Sequence, residues 1–557
     1  MPPRIARPAT VSRPRLLRLL RSRFGLESFR PGQEEVIRNV VRGVDTLAVM
    51  PTGAGKSLCY QLPGLLLPGT TVVVSPLIAL MNDQADKLDR QGVETARVNS
   101  TLGRSDETQT LDRIAEQASE IVFVTPERLG SAEVLERLRR NPIDVFVIDE
   151  AHCISQWGHD FRPAFLEIAL ALHALGDPPV LALTATATEQ VIEDIRTQLG
   201  RPRMALINAS VYRPNLHYRV RQVTGETEKN YALEQVLTQT GGTRIVYTAT
   251  VKAAEAVHER LRNVGHPALL YHGRMRPQDR RASQDRFMSD AESVMVATNA
   301  FGLGIDKPDV RAVIHYQMPA SLEAYYQESG RAGRDGVGAR CELLFDGSDR
   351  RIQAFFLGGR YPSAEDIEQV WHALQANAGP RTAAEVAQDV PGLATNKVRV
   401  ALKALQDAGM ARTEHGRYAR GDLALDEGAA ASVAEAYRAR ADMDRTKLEQ
   451  LVAYAYSARC RWVTLLEYFG ETPEWERCGS CDNCLHPPTA PHAETSSTPR
   501  VPVQEADGPK LELGQRVSVP RFGSGTVTAI AGDAITIAFP DGRRRPFMRA
   551  FVSPDAA

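Results

Sequence analysis

Residues 50–57 read MPTGAGKS, between the apolar run DTLAVM and a helical pattern. Gly53 and Gly55 free successive backbone N–H groups to wrap phosphate oxygens, and the N-terminus of the following helix favours the same negative charge. In that cradle, beside Thr52, Lys56 can reach β- and γ-phosphates and Ser57 can hold Mg²⁺. The strict phosphate-loop spacing wants glycine where this chain has Met50, so the stretch needs support from elsewhere. VFVIDEAH gives it, as an apolar run that ends on two acids. Asp149 suits the Mg²⁺ shell. Glu150 suits orienting and deprotonating an attacking water, because phosphoryl transfer mainly needs positioning and charge neutralisation. YYQESGRAGRDG supplies Gln327, Arg331 and Arg334. Arginines at i and i+3 on a helical turn can face one site and stabilise charge on a γ-phosphoryl across a cleft. The bland alternatives are an acidic strand end that caps a helix and a basic surface turn.

The acids run straight into CISQWGHDFRP, an aromatic and basic stretch broken by glycine. Trp157 and Phe161 are either core aromatics or rings in a polar loop, the setting of a surface that stacks on nucleobases. A second chemistry lies towards the far end. Of seven cysteines, Cys59, Cys153 and Cys341 are scattered, whereas Cys460, Cys478, Cys481 and Cys484 cluster. Four soft ligands suit a closed, structural, tetrahedral Zn²⁺ site; an iron–sulfur cluster is the alternative. This is no secreted disulfide framework, and it points to a reducing compartment.

These groups need elements to position them. At 557 residues the chain is too long for one core. It is 43% hydrophobic and 24% charged, and no apolar run approaches the ~18–20 residues of a membrane span. A net charge of −1 confines nucleic-acid affinity to local patches. One is the acid-free, Arg-rich start, read as a basic N-terminal arm in preference to a targeting peptide. DTLAVM, TVVVSP, IVFVTP, VFVIDE and PVLALTAT form one set of short apolar runs, and TRIVYTAT, ALLYHG, SVMVATNA, AVIHYQ and CELLF a second. Such runs alternating with helical patterns predict parallel strands buried on both faces, hence two α/β lobes divided near YRPNL at 212–216. AEDIEQVWHALQ, TAAEVAQDV and TNKVRVALKALQDAGM then read as three helices before a β-wing, with Lys397, Arg399 and Lys403 on the third. That spacing fits a nucleic-acid-binding winged helix or a helical spacer with solvated charges. A Pro/Ser/Thr-rich linker leads to short alternating strands with Gly and Asp-Gly turns, predicted to form a small barrel.

FRPGQ, PTGAGKS, SPLIALMNDQ, TPERL, DEAH, LTATAT, ATNAFGLGIDKP and QESGRAGRDG occur in that order. Together they resemble a superfamily 2 helicase, and CISQWGHDFRP after DEAH is similar specifically to the RecQ family of DNA helicases. The resemblance covers residues 15–350 and resumes over 445–488. It implies two tandem RecA-like lobes and a 3′→5′ motor driven by ATP and Mg²⁺. It also implies that Trp157, Phe161 and Arg162 grip single-stranded DNA, with Ser75 and Arg128 on the DNA backbone. Arg30 and Gln33 would read adenine, next to Leu26 where the family often has an aromatic. Thr184 and Thr186 would couple hydrolysis to lobe movement, and Asp306 would face both nucleotide and DNA. CRWVTLLEYFGE with CGSCDNC looks like the RecQ zinc-binding subdomain.

The expected layout is a basic arm with lobe one over 1–207, lobe two over 208–358, and a winged-helix-like insertion over 359–430. A helical zinc-binding subdomain over 431–488, a linker over 489–510 and an SH3/Tudor-like barrel over 511–557 follow. The insertion departs from the family, in which a winged helix follows the zinc site. RVSVPRFGSGTVTAI resembles the tail of UvrD-type helicases, so a protein partner such as RNA polymerase or a repair protein is expected there, with Arg543, Arg544 and Arg545 alongside. The implied work is unwinding single-strand-tailed and forked DNA in repair, recombination and fork maintenance, in the cytoplasm at the nucleoid. A DNA-stimulated ATPase with weak unwinding is the alternative, and a partner-recruited scaffold the third.

Overall fold

The computed structural model describes residues 11–99, 102–116, 119–155, 163–302, 305, 307–358, 361–376, 379–414, 417–421, 423, 427–487, 514–519, 523–531, 534–538, 544–548 and 553–554. The chain divides into two compact units, Met1–Pro488 and Thr489–Ala557.

In the first unit, seven strands form the first sheet: β1 (Thr46–Val49), β2 (Thr70–Val74), β3 (Thr95–Val98), β4 (Ile121–Val124), β5 (Ile143–Ile148), β6 (Val180–Thr184) and β7 (Ala205–Asn208). Their order is β3-β4-β2-β5-β6-β1-β7, all parallel. Six more build the second sheet: β8 (Leu216–Gln222), β9 (Thr243–Tyr247), β10 (Ala268–Tyr271), β11 (Val294–Ala297), β12 (Val310–His315) and β13 (Ala339–Phe345). These run parallel in the order β10-β11-β9-β12-β13-β8. Helical crossovers cover both faces, so the central strands are buried throughout, as their predominantly apolar content requires. In such sheets, loops at the carboxyl ends of the strands form the binding crevice.

Three strands were not foreseen: β3, β7 and β8. All three lie at sheet edges. An edge strand buries less of itself, so TARV, ALIN and LHYRVRQ carry polar and basic residues where central strands are apolar.

The basic start is folded from Arg13. Helix Arg13–Phe24 buries Leu16 and Leu20 against Ile37, Val41, Leu58 and Leu62. After the second sheet, helices Ala364–Gln375, Ala383–Gln388 and Thr395–Asp407 and the hairpin β14 (Ala411–Glu414)–β15 (Arg417–Arg420) share a small core of their own. Ser363 and Thr382 start the first two helices with reciprocal capping boxes. The 30-residue helix Glu427–Tyr456 then returns to the second sheet. Tyr454, Trp462, Phe469 and Cys481 join one continuous core with Leu216, Tyr218 and Leu343, so the cysteine-bearing segment and the second sheet are one packed body.

The second unit holds an antiparallel sheet of β16 (Arg516–Val519), β17 (Gly523–Ala531), β18 (Ala534–Ala538), β19 (Arg544–Met548) and β20 (Ser553–Pro554), in the order β19-β18-β17-β16-β20. Val517, Val527 and Ile537 are buried in it. No ladder among the described residues joins β19 to β20, so barrel closure is not part of what is described. The linker over 489–510 and Arg543 lie outside the described residues.

Candidate nucleotide and metal sites

The phosphate loop leaves the end of β1. Met50 continues the ladder through its N–H to Thr184 O (2.9 Å), and its fully buried side chain touches Cys59. Position 50 is therefore a core position, which explains how the chain does without glycine there. Gly53 (φ 84°) and Gly55 (φ 77°) adopt left-handed backbone that other residues rarely take. Gln33 is buried beneath the loop and donates to Ala54 O (2.9 Å) and Gly55 O (3.0 Å), while its own oxygen accepts from Arg30 N (2.8 Å). The Arg30 guanidinium donates to Gly53 O. Lys56 Nζ lies 3.4 Å from Met50 O, and Ser57 opens helix Leu58–Gly64.

Asp149 and Glu150 follow β5. Asp149 is buried, and burial, then the Glu150 charge, push its carboxyl up to about 7, against the opposing pull of Lys56 and Ser75. Two acids with a lysine at a strand end form a site a divalent cation would relieve, so these residues fit Mg²⁺. Glu150 sits at φ 52°, one of two non-glycine residues with positive φ among the described residues. That costs on the order of 1–2 kcal/mol and aims its carboxylate into the cleft. His152, which sequence reasoning passed over, is buried between the acid and the next strand. Its Nδ1 lies 3.0 Å from Thr184 Oγ1 and 3.4 Å from Glu150 Oε2, and the Thr184 hydroxyl donates to Thr186 O (2.9 Å).

The second sheet closes the cleft. Gln327, from helix Leu322–Ser329, and Arg331 and Arg334, from the loop after it, line the same cavity of about 450 Å³ as Lys56, Asp149 and Glu150. Arg331 is buried and donates to Gly302 O. Leu26, Arg30, Gln33, Thr52, Gly53, Gly55 and Ser57 also line it, as do Leu77, Leu80 and Gln84 of the SPLIALMNDQ stretch.

The residues expected to touch DNA are less gathered. Ser75 is 3% exposed, so its hydroxyl is buried at the end of β2. Arg128 forms an ion pair with Glu107. Trp157, Phe161, Arg162 and Asp306 lie outside the described residues. On helix Thr395–Asp407, Lys397 pairs with Asp366 (2.5 Å) and Lys403 with Asp407 (2.8 Å), and Arg399 donates to Asn396 (3.3 Å). Much of that helix's positive charge is neutralised within the protein.

The sulfur atoms of Cys460, Cys478, Cys481 and Cys484 all lie within 4.8 Å of one another, the one such ligand cluster among the described residues. Cys478–Cys484 are 3.9 Å and Cys460–Cys481 4.0 Å apart. A tetrahedron with Zn–S bonds of ~2.3 Å has edges of ~3.8 Å, so the four thiols fit one Zn²⁺; a cluster of several irons needs them wider. Backbone N–H groups of Cys478, Arg461 and Ser480 donate to Cys460, Cys481 and Cys478, support a tetrathiolate requires. Burial pushes the isolated Cys59 and Cys341 thiols up to about 12, which leaves them inert. Among the described residues no helix is long and apolar enough to cross a membrane.

Residues 30–195 match the DEAD/DEAH box helicase family, 228–336 the helicase conserved C-terminal domain and 424–485 the RecQ zinc-binding family. The chain is 38% identical over 468 residues to the ATP-dependent DNA helicase RecQ of Bacillus subtilis, covering 84% of this chain and 66% of that protein. It is 35% identical over 486 residues to the ATP-dependent DNA helicase RecQ of Synechocystis, covering 84% of this chain and 97% of that one. Across four bacterial relatives, the Bacillus RecQ among them, the chain spans 52% to 71% of their length. In fold it is similar to the DUF1998 helicase MrfA bound to DNA, with a TM-score of 0.52 at 20% identity over 76% of this chain and 64% of that one.

Proposed function

The chain belongs to the RecQ family of ATP-dependent DNA helicases, and on that premise we propose that it hydrolyses ATP to move 3′→5′ along single-stranded DNA and unwind duplex. One observation carries the reading: phosphate loop, acid pair and arginine pair, drawn from two sheets, converge on one cleft. In it, Thr52, Gly53, Gly55 and Lys56 hold the phosphates, while Arg30 and Gln33 face the base. Ser57 and Asp149 would hold Mg²⁺, which when bound neutralises phosphate charge. Glu150 takes a proton from the attacking water. Arg331 and Arg334 stabilise the charge that develops, with Gln327 beside them. His152 and Thr184 link the acid pair to the strand end that bears Thr186, so loss of the γ-phosphate is felt where the lobes meet. Zn²⁺ on the four cysteines is structural and supports the second lobe.

Trp157, Phe161 and Arg162 stack on and grip single-stranded DNA; stacking is worth ~1–3 kcal/mol per base and tolerates any sequence. Arg128 reaches the DNA backbone by exchanging Glu107 for phosphate. The C-terminal unit recruits a protein partner, RNA polymerase or a repair protein, and the enzyme works at the nucleoid in repair and recombination. The deciding assay is strand displacement on 3′-tailed, 5′-tailed and forked duplexes. The reading expects ATP-dependent unwinding with the 3′ tail and the fork, and none with the 5′ tail alone. A second reading, a DNA-stimulated ATPase with weak unwinding, is favoured by the ion pairs that neutralise Lys397 and Lys403. It predicts turnover without displacement on all three substrates.

A further inference from the structure

The segment between the two sheets, 209–215, does more than connect them. Arg213 leaves it and drives its guanidinium between the phosphate loop and the arginine loop. Nη1 donates to Gly330 O (2.7 Å) and Thr52 O (3.3 Å); Nη2 donates to Ala332 O (2.8 Å) and Gly333 O (2.6 Å). Four terminal N–H groups thus meet four carbonyls. Three belong to the turn that carries Arg331 and Arg334, and the fourth to the loop that holds phosphate. Asn215 adds Nδ2 bonds to Gly333 O (2.8 Å) and Val337 O (3.0 Å).

The two loops approach closely enough for the fork to span them. A Cβ on Gly330 would lie 3.1 Å from Thr52 Cβ, one on Gly53 3.3 Å from Arg334 Cγ, and one on Gly333 2.5 Å from Asn215 Nδ2. The bond to Thr52 is the longest of the four and the one that crosses between lobes. Arg213 is thus held by three bonds to the arginine turn and by one, longer, to the phosphate loop.

Its root is held from the other side. The neighbouring Tyr212 ring packs against Trp462 and Trp475, each with its centroid 5.0 Å away. Glu471 accepts from Ser210 Oγ (2.6 Å) and Val211 N (2.8 Å). Trp462 Nε1 donates to Leu216 O (3.0 Å), and Tyr326, on the helix that leads into the arginine loop, donates to Val211 O (2.7 Å). The zinc-bearing body thus anchors the connector at both ends of Arg213.

We propose that Arg213 is a positioning residue for ATP hydrolysis: it fixes the backbone that carries Arg331 and Arg334 and registers it against Thr52, so that both arginines meet the γ-phosphoryl group in the transition state. It touches no substrate. Its contribution falls on turnover, because the interactions it aligns strengthen only as charge develops. A lysine keeps the charge but offers its donors from one point and cannot span four carbonyls.

The test measures ATPase of full-length, zinc-loaded wild type, Arg213→Lys and Asn215→Ala with single-stranded DNA. Binding of a fluorescent ATP analogue and of ADP with aluminium fluoride is measured alongside. Arg213→Lys is expected to lose roughly tenfold or more in kcat, part of the ~10³ that an arginine finger supplies. KM for ATP and analogue affinity stay within about threefold, while the aluminium fluoride complex is lost. Asn215→Ala, which loosens the same turn, shows the same pattern more weakly and serves if Arg213→Lys does not fold. Arg213→Lys and Arg334→Ala combined lose less than the product of the two separate losses, because one turn carries both arginines. Undiminished kcat in folded Arg213→Lys, a loss confined to KM, or losses that add to those of Arg334→Ala would each overturn the proposal. The proposal rests on reading the cleft as the ATPase centre. Wild type without turnover refutes that reading, whereas wild-type turnover matched by Arg213→Lys refutes only the role of Arg213.

Discussion

Gly55→Ala tests whether Gln33 braces the phosphate loop. Gly55 has φ 77°, and a Cβ there would lie 2.7 Å from Gln33 Nε2. Two costs follow. The left-handed backbone costs an L-residue roughly 1–2 kcal/mol. The amide must also give way, and being 3% exposed it has no solvent to move into. It loses its bonds to Ala54 O, Gly55 O and Arg30 N, roughly 1 kcal/mol each. Gly92 supplies the control: φ is 75° and nothing lies within 4 Å of its Cβ, so Gly92→Ala meets only the backbone cost, at a position outside the cleft lining. The extra ~3 kcal/mol at Gly55 lowers the fraction of protein whose loop is competent to bind. Affinity for a fluorescent ATP analogue should fall roughly a hundredfold for Gly55→Ala and stay unchanged for Gly92→Ala. Adding Gln33→Ala to Gly55→Ala opens the space, so the double variant should bind better than the sum of the two singles predicts. Additive losses, or equal affinities for the two alanine variants, would show that the amide does not brace the loop.

Removal of zinc by a chelator should loosen β8 as well as the cysteine segment, because Trp462 and Cys481 share a core with Leu216 and Tyr218. Hydrogen exchange over 216–222 checks this, and unchanged protection there contradicts it. In Mg²⁺-free buffer the raised pKa of Asp149 means that the folded state holds a proton the unfolded state has released, between its ordinary 3.8 and about 7. That contribution to stability is present at low pH and lost as pH rises through this window. Asp149→Asn should flatten the corresponding fall in Tm, and an identical slope in the variant counts against it. Lys397→Ala should disturb the insertion by freeing Asp366, from the helix-starting box of Ala364–Gln375, and change DNA affinity little. A steep loss of DNA binding in folded Lys397→Ala would instead return the third helix to a recognition role.

How much of this was legible depends on where a residue draws its meaning. The phosphate loop, acid pair, arginine pair and four cysteines were readable because their chemistry is local and their spacing short. Central strands such as β2 and β5 announced themselves as unbroken apolar runs, whereas β3, β7 and β8 stayed hidden at the sheet edges. His152 and Arg213 went unassigned for a related reason. One acts by lying between a glutamate and a distant threonine, the other through backbone carbonyls, which no residue type encodes. The pairing of Arg128 with Glu107 and of Lys397 with Asp366 likewise exists only once the chain has folded. Charge counted along the sequence overstates what remains to meet DNA.

In the proposed motor, nucleotide cleavage in the cleft is coupled to strand engagement. The most direct measurement is the ATPase rate of Zn²⁺- and Mg²⁺-replete protein with and without single-stranded DNA, for wild type, Lys56→Ala and Trp157→Ala. DNA should strongly accelerate wild type, Lys56→Ala should hydrolyse nothing in either condition, and Trp157→Ala should keep the basal rate but lose the acceleration. Wild-type turnover at one rate regardless of DNA would contradict that coupling.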